Sequence, residues 1–148
     1  MNVDQQTIKD VFSNFFIEQT GPESARNSVP LGFDSQAWER LAETGAHGMG
    51  VSLPEGGGAS LSELAIMSEE AGAHIAPLPI IDHIVSSRVL EKLNVLETEI
   101  LTGALIAGIA IRPTTKEVAK SVPSGAIANR LIALHEDKII LIKDEPPN

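Results

Sequence analysis

The chain changes character at Thr102, and that change limits its fold more than any single motif does. Before it, apolar residues recur at spacings of three and four; after it, they fall in short runs rich in Ile, Leu and Val. Ile8, Val11, Phe12, Phe15 and Phe16 lie on one helical stripe between Asp4 and Gln19, and three of the four Phe residues stand on it. Gly21-Pro22 is expected to end that helix, with a polar loop from Glu23 to Pro30. Asp34 reads as the N-cap of a helix bearing Trp38, Leu41 and Ala42, and Gly45 as its C-cap. Ser60 and Glu63 match a capping box that opens a helix running to about Gly72. Beyond the stiff turn Ala76-Pro77-Leu78-Pro79, the residues Ile80, Ile81, Ile84 and Val85 begin a helical face that ends near Leu93. A short helix from Leu96 to Leu101 closes this part.

From Leu105 to Ile111 a strand is expected, stopped by Pro113. Ala126 to Leu134 and Lys138 to Ile142 read as a hairpin across His135-Glu136-Asp137, and residues 144–148 as a polar end that cannot continue a strand. Helices first and strands second predict an α+β fold. Its mainly α-helical part, 1–102, would precede a few antiparallel strands of an incomplete β domain, 103–148. Three short strands leave edges exposed and a face to cover. Such a sheet is unfinished unless another chain completes it, the helices cap it, or the chain is a truncation.

Composition removes several functions. With 148 residues and 43% of them apolar, there is enough material for one real core, or one domain and a fragment. A net charge of -9 opposes binding to nucleic acid and to anionic membrane surfaces. The absence of Cys rules out disulfides, a thiolate nucleophile and Cys-based metal sites. No basic leader opens the chain, and no run approaches the roughly 20 apolar residues of a membrane span, so a cytoplasmic home is the default.

Candidate chemistry is sparse. Gly56-Gly57-Gly58 ahead of a helix N-terminus suggests a phosphate loop, but it lacks the third Gly of a dinucleotide pattern and reads as a structural turn. His47, His74, His83 and His135 form no pair at metal-ligand spacing, so no metal site is expected and each reads as a surface or satisfied histidine. No Gly-x-Ser-x-Gly elbow is present. Glu69-Glu70 and Glu97/Glu99 read as solvated helix faces, not general bases, and the Phe stripe reads as core. No catalytic residue is nominated. Ile80, Ile81, Ile84 and Val85 have the character of either a core face or the wall of an apolar tunnel.

The order of the pieces carries more than any one of them. Gly32-Phe33-Asp34, then Trp38-Glu39-Arg40-Leu41-Ala42-Glu43-Thr44-Gly45, then Val51-Ser52-Leu53-Pro54-Glu55 with Gly56-Gly57-Gly58, resembles the N-terminal domain of the acyl-CoA dehydrogenases, where a "W..LAE.G" helix leads to a "P-E-x-x-G-G" loop. Ser62-Glu63-Leu64-Ala65-Ile66 and Glu69-Glu70-Ala71-Gly72 are similar to the family's "ELA.V.EELG" helix, and Ile75 to Pro79 continues the match. Gly103 to Ala110 resembles the entry into the family's middle β domain, and Val122-Pro123 through Ile132 its "VP.A..AD.LLV" strand. The resemblance covers nearly all of the chain after residue 30.

That resemblance implies an FAD enzyme that oxidises an acyl-CoA thioester, passes electrons to an electron-transfer flavoprotein, and assembles as a homo- or hetero-oligomer. It also implies that the helix from Ile80 to Leu93 lines the acyl tail, with Ile84 and Ser87 as the substrate-binding candidates. The departures are as definite. Thr114 to Ser121 replaces the family's "TEP..GSD" flavin-contacting segment, so no residue here inherits that role. The C-terminal bundle with the catalytic base has no counterpart, and the chain alone is not expected to catalyse the reaction. The leading expectation is therefore a part or subunit of such an enzyme. The second is a non-catalytic interaction module that pairs with a dehydrogenase-like chain through its strand edges.

Overall fold

A computed structural model describes residues 3–52, 54–115 and 118–144; the expected polar end after Asp144 lies outside them, as do Leu53 of the loop motif and two residues of the 114–121 segment. Helix α1 (Val3–Gln19) buries Phe12 and Phe16 of its stripe, although Val11 stays 48% exposed. It packs along α4 (Leu61–Ala73), whose N-terminus carries the expected capping box: Ser60 N–H donates to Glu63 Oε2 at 2.6 Å and Glu63 N–H to Ser60 Oγ at 3.4 Å. Asp34 caps α3 (Ser35–Ala42) by accepting the Ala37 N–H at 3.0 Å. Gly45, at φ 74, then turns the chain into a single 3-10 turn, Ala46–Gly48. Helix α5 (Ile80–Lys92) follows the Pro-rich turn, and α6 (Thr98–Leu101) starts two residues later than expected.

The loop expected over Glu23–Pro30 is corrected: Pro22–Asn27 forms helix α2. Gly21, at φ 128, frees the chain from α1, and Pro22 supplies a preset φ at the first helical turn. No residue of α2 is buried, so it has no apolar periodicity to betray it.

The strands are β1 (Ala107–Ile109), β2 (Arg130–His135) and β3 (Lys138–Lys143), in that spatial order. The hairpin β2–β3 has Ile132 opposite Leu141 and turns on Glu136-Asp137, with Glu136 at φ 52. An α+β fold is thus what the chain adopts, but the expected all-antiparallel sheet is corrected to a mixed one, because β1 runs parallel to β2. The long connection over 110–129 returns the chain to the end of the sheet where β1 began, which a hairpin cannot do. Within it, Ala126 to Asn129 are not strand; the Ile127 and Ala128 amides donate to Ser124 O in a tight turn.

Two cores meet at β1. The helical core gathers Phe16, Trp38, Leu41, Met67 and Ile84, and Ile106 reaches into it. Leu90, Ile100, Ala107 and Ile132 form the second, with α5 lying across β1. Among the described residues no helix is long and apolar enough to cross a membrane.

Candidate functional site

The polar chemistry of the chain collects where helices and sheet join. Burial of the imidazoles is its first feature. His83 is fully buried on α5; its Nδ1 lies 3.2 Å from the Ala107 N–H and its Nε2 3.0 Å from Ile100 O. Because an amide N–H can only donate, Nδ1 accepts and Nε2 carries the proton, a neutral tautomer that staples α6 to β1. Desolvation, helped by the neighbouring His47, pushes the His83 pKa down to about 3. Trp38 Nε1–H donates to Gly103 O at 2.9 Å, clamping the same link. His47 lies edge-on to Trp38, ring centroids 4.0 Å apart, with neither ring nitrogen hydrogen-bonded among the described residues. Burial alone lowers its pKa to about 4. The space between these rings and Ile84 admits no water molecule, so the cluster is packed structure, not a pocket.

The second feature is an ion cluster. Arg130 Nε and Nη2 both reach the Glu97 carboxylate at 2.7 Å, and Lys143 Nζ sits 3.2 Å from it. The Arg130 hydrogen bonds hold the Glu97 carboxyl at a pKa of about 2.

The third is an open apolar groove. An open groove of about 500 Å³ runs along Ile75, Leu78, Pro79 and Ile81, and adjoins a recess of about 200 Å³ against Pro123 and Ile127. Asp82, in the first turn of α5, lines both. Its Oδ2 accepts the Ser124 N–H at 3.1 Å and also the Ser124 hydroxyl. Gly108 permits this, since a Cβ there would collide with Ser124 Oγ.

Of the candidates named from sequence, Ile84 is 5% exposed in the helical core and Ser87 is fully buried, its hydroxyl donating to Ile84 O at 3.0 Å. Ile81 and Val85, on the same helix, are exposed. The glycine run is a structural turn: the amides of Gly56, Gly57 and Gly58 donate to Ser52, Gly48 and Val51 carbonyls, leaving none for a phosphate. Glu70 departs from its expected solvated face, being 6% exposed between Lys9 at 3.6 Å and His74 at 3.8 Å. His47 is buried and its ring nitrogens are unsatisfied among the described residues. No three His, Asp or Glu among the described residues converge as metal ligands. Sequence reasoning passed over Asp82 and Ser124, which lie 42 positions apart and share no local pattern.

The described residues do not fit FAD. The glycine amides are consumed, the Phe stripe is core, and Thr114 Oγ1 is held by His135 Nδ1 at 2.6 Å. The groove offers a carboxylate and no cation to a pyrophosphate.

No family model matches the sequence, and no curated protein matches it. Solved structures do. The chain is similar in fold to a variant of the Tcur3481-Tcur3483 steroid ACAD, at TM-score 0.80 and 18% identity over 95% of its length. It is similar also to the ChsE4-ChsE5 complex from Mycobacterium tuberculosis, at TM-score 0.77 and 16% identity over 97%. It spans 48% of the matched chain in each case.

Proposed function

We propose that this chain is a part or a subunit of an FAD-dependent acyl-CoA dehydrogenase, contributing acyl-pocket wall and assembly surface. The observation that supports it best is the fold likeness to a steroid ACAD over nearly the whole chain, which nonetheless makes up only about half of that neighbour. In this reading the flavin site lies outside the described residues, which do not fit FAD. In this reading residues 1–102 are the helical domain and 103–148 a portion of the middle β domain. The base and the flavin site come from a dehydrogenase-like partner or segment, acyl-CoA binds the completed assembly, and electrons leave to an electron-transfer flavoprotein in the cytoplasm. Ile84 and Ser87 form the inner layer of the acyl wall. Their burial fixes α5, so that Ile81 and Val85 present the apolar surface. The two-component name of the ChsE4-ChsE5 complex favours an unlike partner.

One observation favours the second reading, a non-catalytic interaction module: β3 is an edge strand whose Ile139 is 57% exposed. Size-exclusion of the protein from its own source, with flavin absorbance followed across the peak, separates the two. A yellow assembly well above 15.7 kDa is expected. A colourless complex with a dehydrogenase-like chain supports the module instead, and a colourless species of the chain's own mass overturns both.

A further inference from the structure

The groove beside Asp82 is built with more care than its open shape suggests. Its volume of about 500 Å³ falls within the roughly 300–1,000 Å³ of small-molecule sites. Its lining is mainly hydrocarbon from Ile75, Leu78, Pro79, Ile81 and Pro123; its polar side chains are the Asp82 carboxylate and the Ser68 hydroxyl, which donates to Leu64 O. That carboxylate is half engaged. Ser124 occupies Oδ2 with two donors, while Oδ1 accepts no hydrogen bond among the described residues. Asp82 stands in the first turn of α5, at the positive end of the helix dipole, and both Ser124 donors are aimed at one oxygen, so its charge is partly offset. What Oδ1 still lacks is a donor, and a hydroxyl supplies one without stripping water from a charged head group against an apolar lining. An anionic head group would meet this carboxylate with no cation in the lining to offset it.

We infer that this groove binds an apolar molecule carrying an uncharged hydroxyl, whose proton Asp82 Oδ1 accepts while the hydrocarbon lies on Ile75, Leu78 and Ile81. The site excludes ligands with a carboxylate or phosphate at that end. It shares Ile81 with the acyl wall proposed above but does not depend on that reading, and it is read out by binding, not by flavin or assembly.

The test titrates the full chain with 1-octanol, octanoate and octylammonium, following backbone amide resonances by NMR. Octanol is expected to shift residues 75–82 and 123–127, and octanoate to bind at least about tenfold more weakly, the scale of one hydrogen bond to a charged group. In Asp82→Asn the side-chain carbonyl keeps the Ser124 donors and an amide N–H replaces Oδ1, so the octanol-to-octanoate ratio falls below about threefold. Ile81→Glu, at an exposed position, weakens octanol without touching the fold. The inference is overturned if octanoate matches octanol on the wild-type chain, if octylammonium binds about tenfold more tightly than octanol, if the shifts fall elsewhere or nowhere, or if Asp82→Asn leaves the ratio unchanged.

Discussion

Gly103 has no side chain because the His47 ring stands where one would go: a Cβ would lie 2.7 Å from Cε1, and the residue holds φ +76. That close approach seals His47 from water, and sealing sets its protonation. A buried imidazole with no hydrogen-bond partner among the described residues disfavours its charged form, so its folded pKa of about 4 lies below the ordinary 6.5. The unfolded chain therefore takes up the proton first. Stability from His47 is complete above about pH 6.5 and is lost as the pH falls toward 4, by roughly 3 kcal/mol at full protonation. His83 adds a loss of the same sign, extending to lower pH. Urea unfolding of His47→Leu across that window should show a visibly flatter pH dependence than the wild type; an unchanged slope would place the titration elsewhere. None of this is legible in the sequence, where a lone His before Gly carries no sign of burial. Its environment comes from Trp38 and Gly103, 9 and 56 positions away by number.

At the scale of elements, Glu97 ties three of them together, standing at the N-cap of α6 and reaching Arg130 on β2 and Lys143 on β3. The pair Arg130↔Lys143 is in register across the hairpin, so the two cations converge on one carboxylate by strand geometry alone. Arg130 lowers the Glu97 pKa to about 2, and a carboxyl so lowered contributes above its unfolded value and loses that contribution as the pH falls toward 2. A quarter of the Glu97 side chain is exposed, so solvent screening holds the effect to about 1 kcal/mol. Glu97→Gln should lower the denaturation midpoint modestly at neutral pH and in low salt, with the difference from wild type vanishing near pH 2. A difference that persists there would mean a packing role instead. Elements whose signal is local were readable: the capping box at Ser60 and Glu63, the Asp34 cap, the Phe stripe, the Ile80 helix. Those that depend on distant partners were not. Helix α2 buries nothing, and Ala126 to Asn129 form a turn despite their apolar run because Ser124 and Ile106 take their backbone bonds.

For the molecule as a whole, an exposed edge strand of sequence Lys-Ile-Ile-Leu-Ile-Lys raises the matter of what opposes its pairing with a second copy. The answer lies in its two ends. An antiparallel β3–β3 pair between two copies would set Lys138 against Lys143 of the other copy at each end, and like charges directly opposite are destabilising. Two chains of net charge -9 also repel at longer range. Both terms are electrostatic and both are screened, whereas the attraction of Ile139 and Ile142 is not. The isolated chain should thus remain monomeric at low ionic strength and associate progressively as salt is added. Lys138→Ile removes the local guard and barely alters the net charge, so it should associate at salt concentrations where the wild type does not. Light scattering across a salt series measures both. Association that weakens with salt would mean that opposite charges, not the strand edge, drive contact. The same asymmetry bears on which kind of strand can pair with this edge. A strand from an unlike chain, with carboxylates where this one has lysines, meets no such barrier.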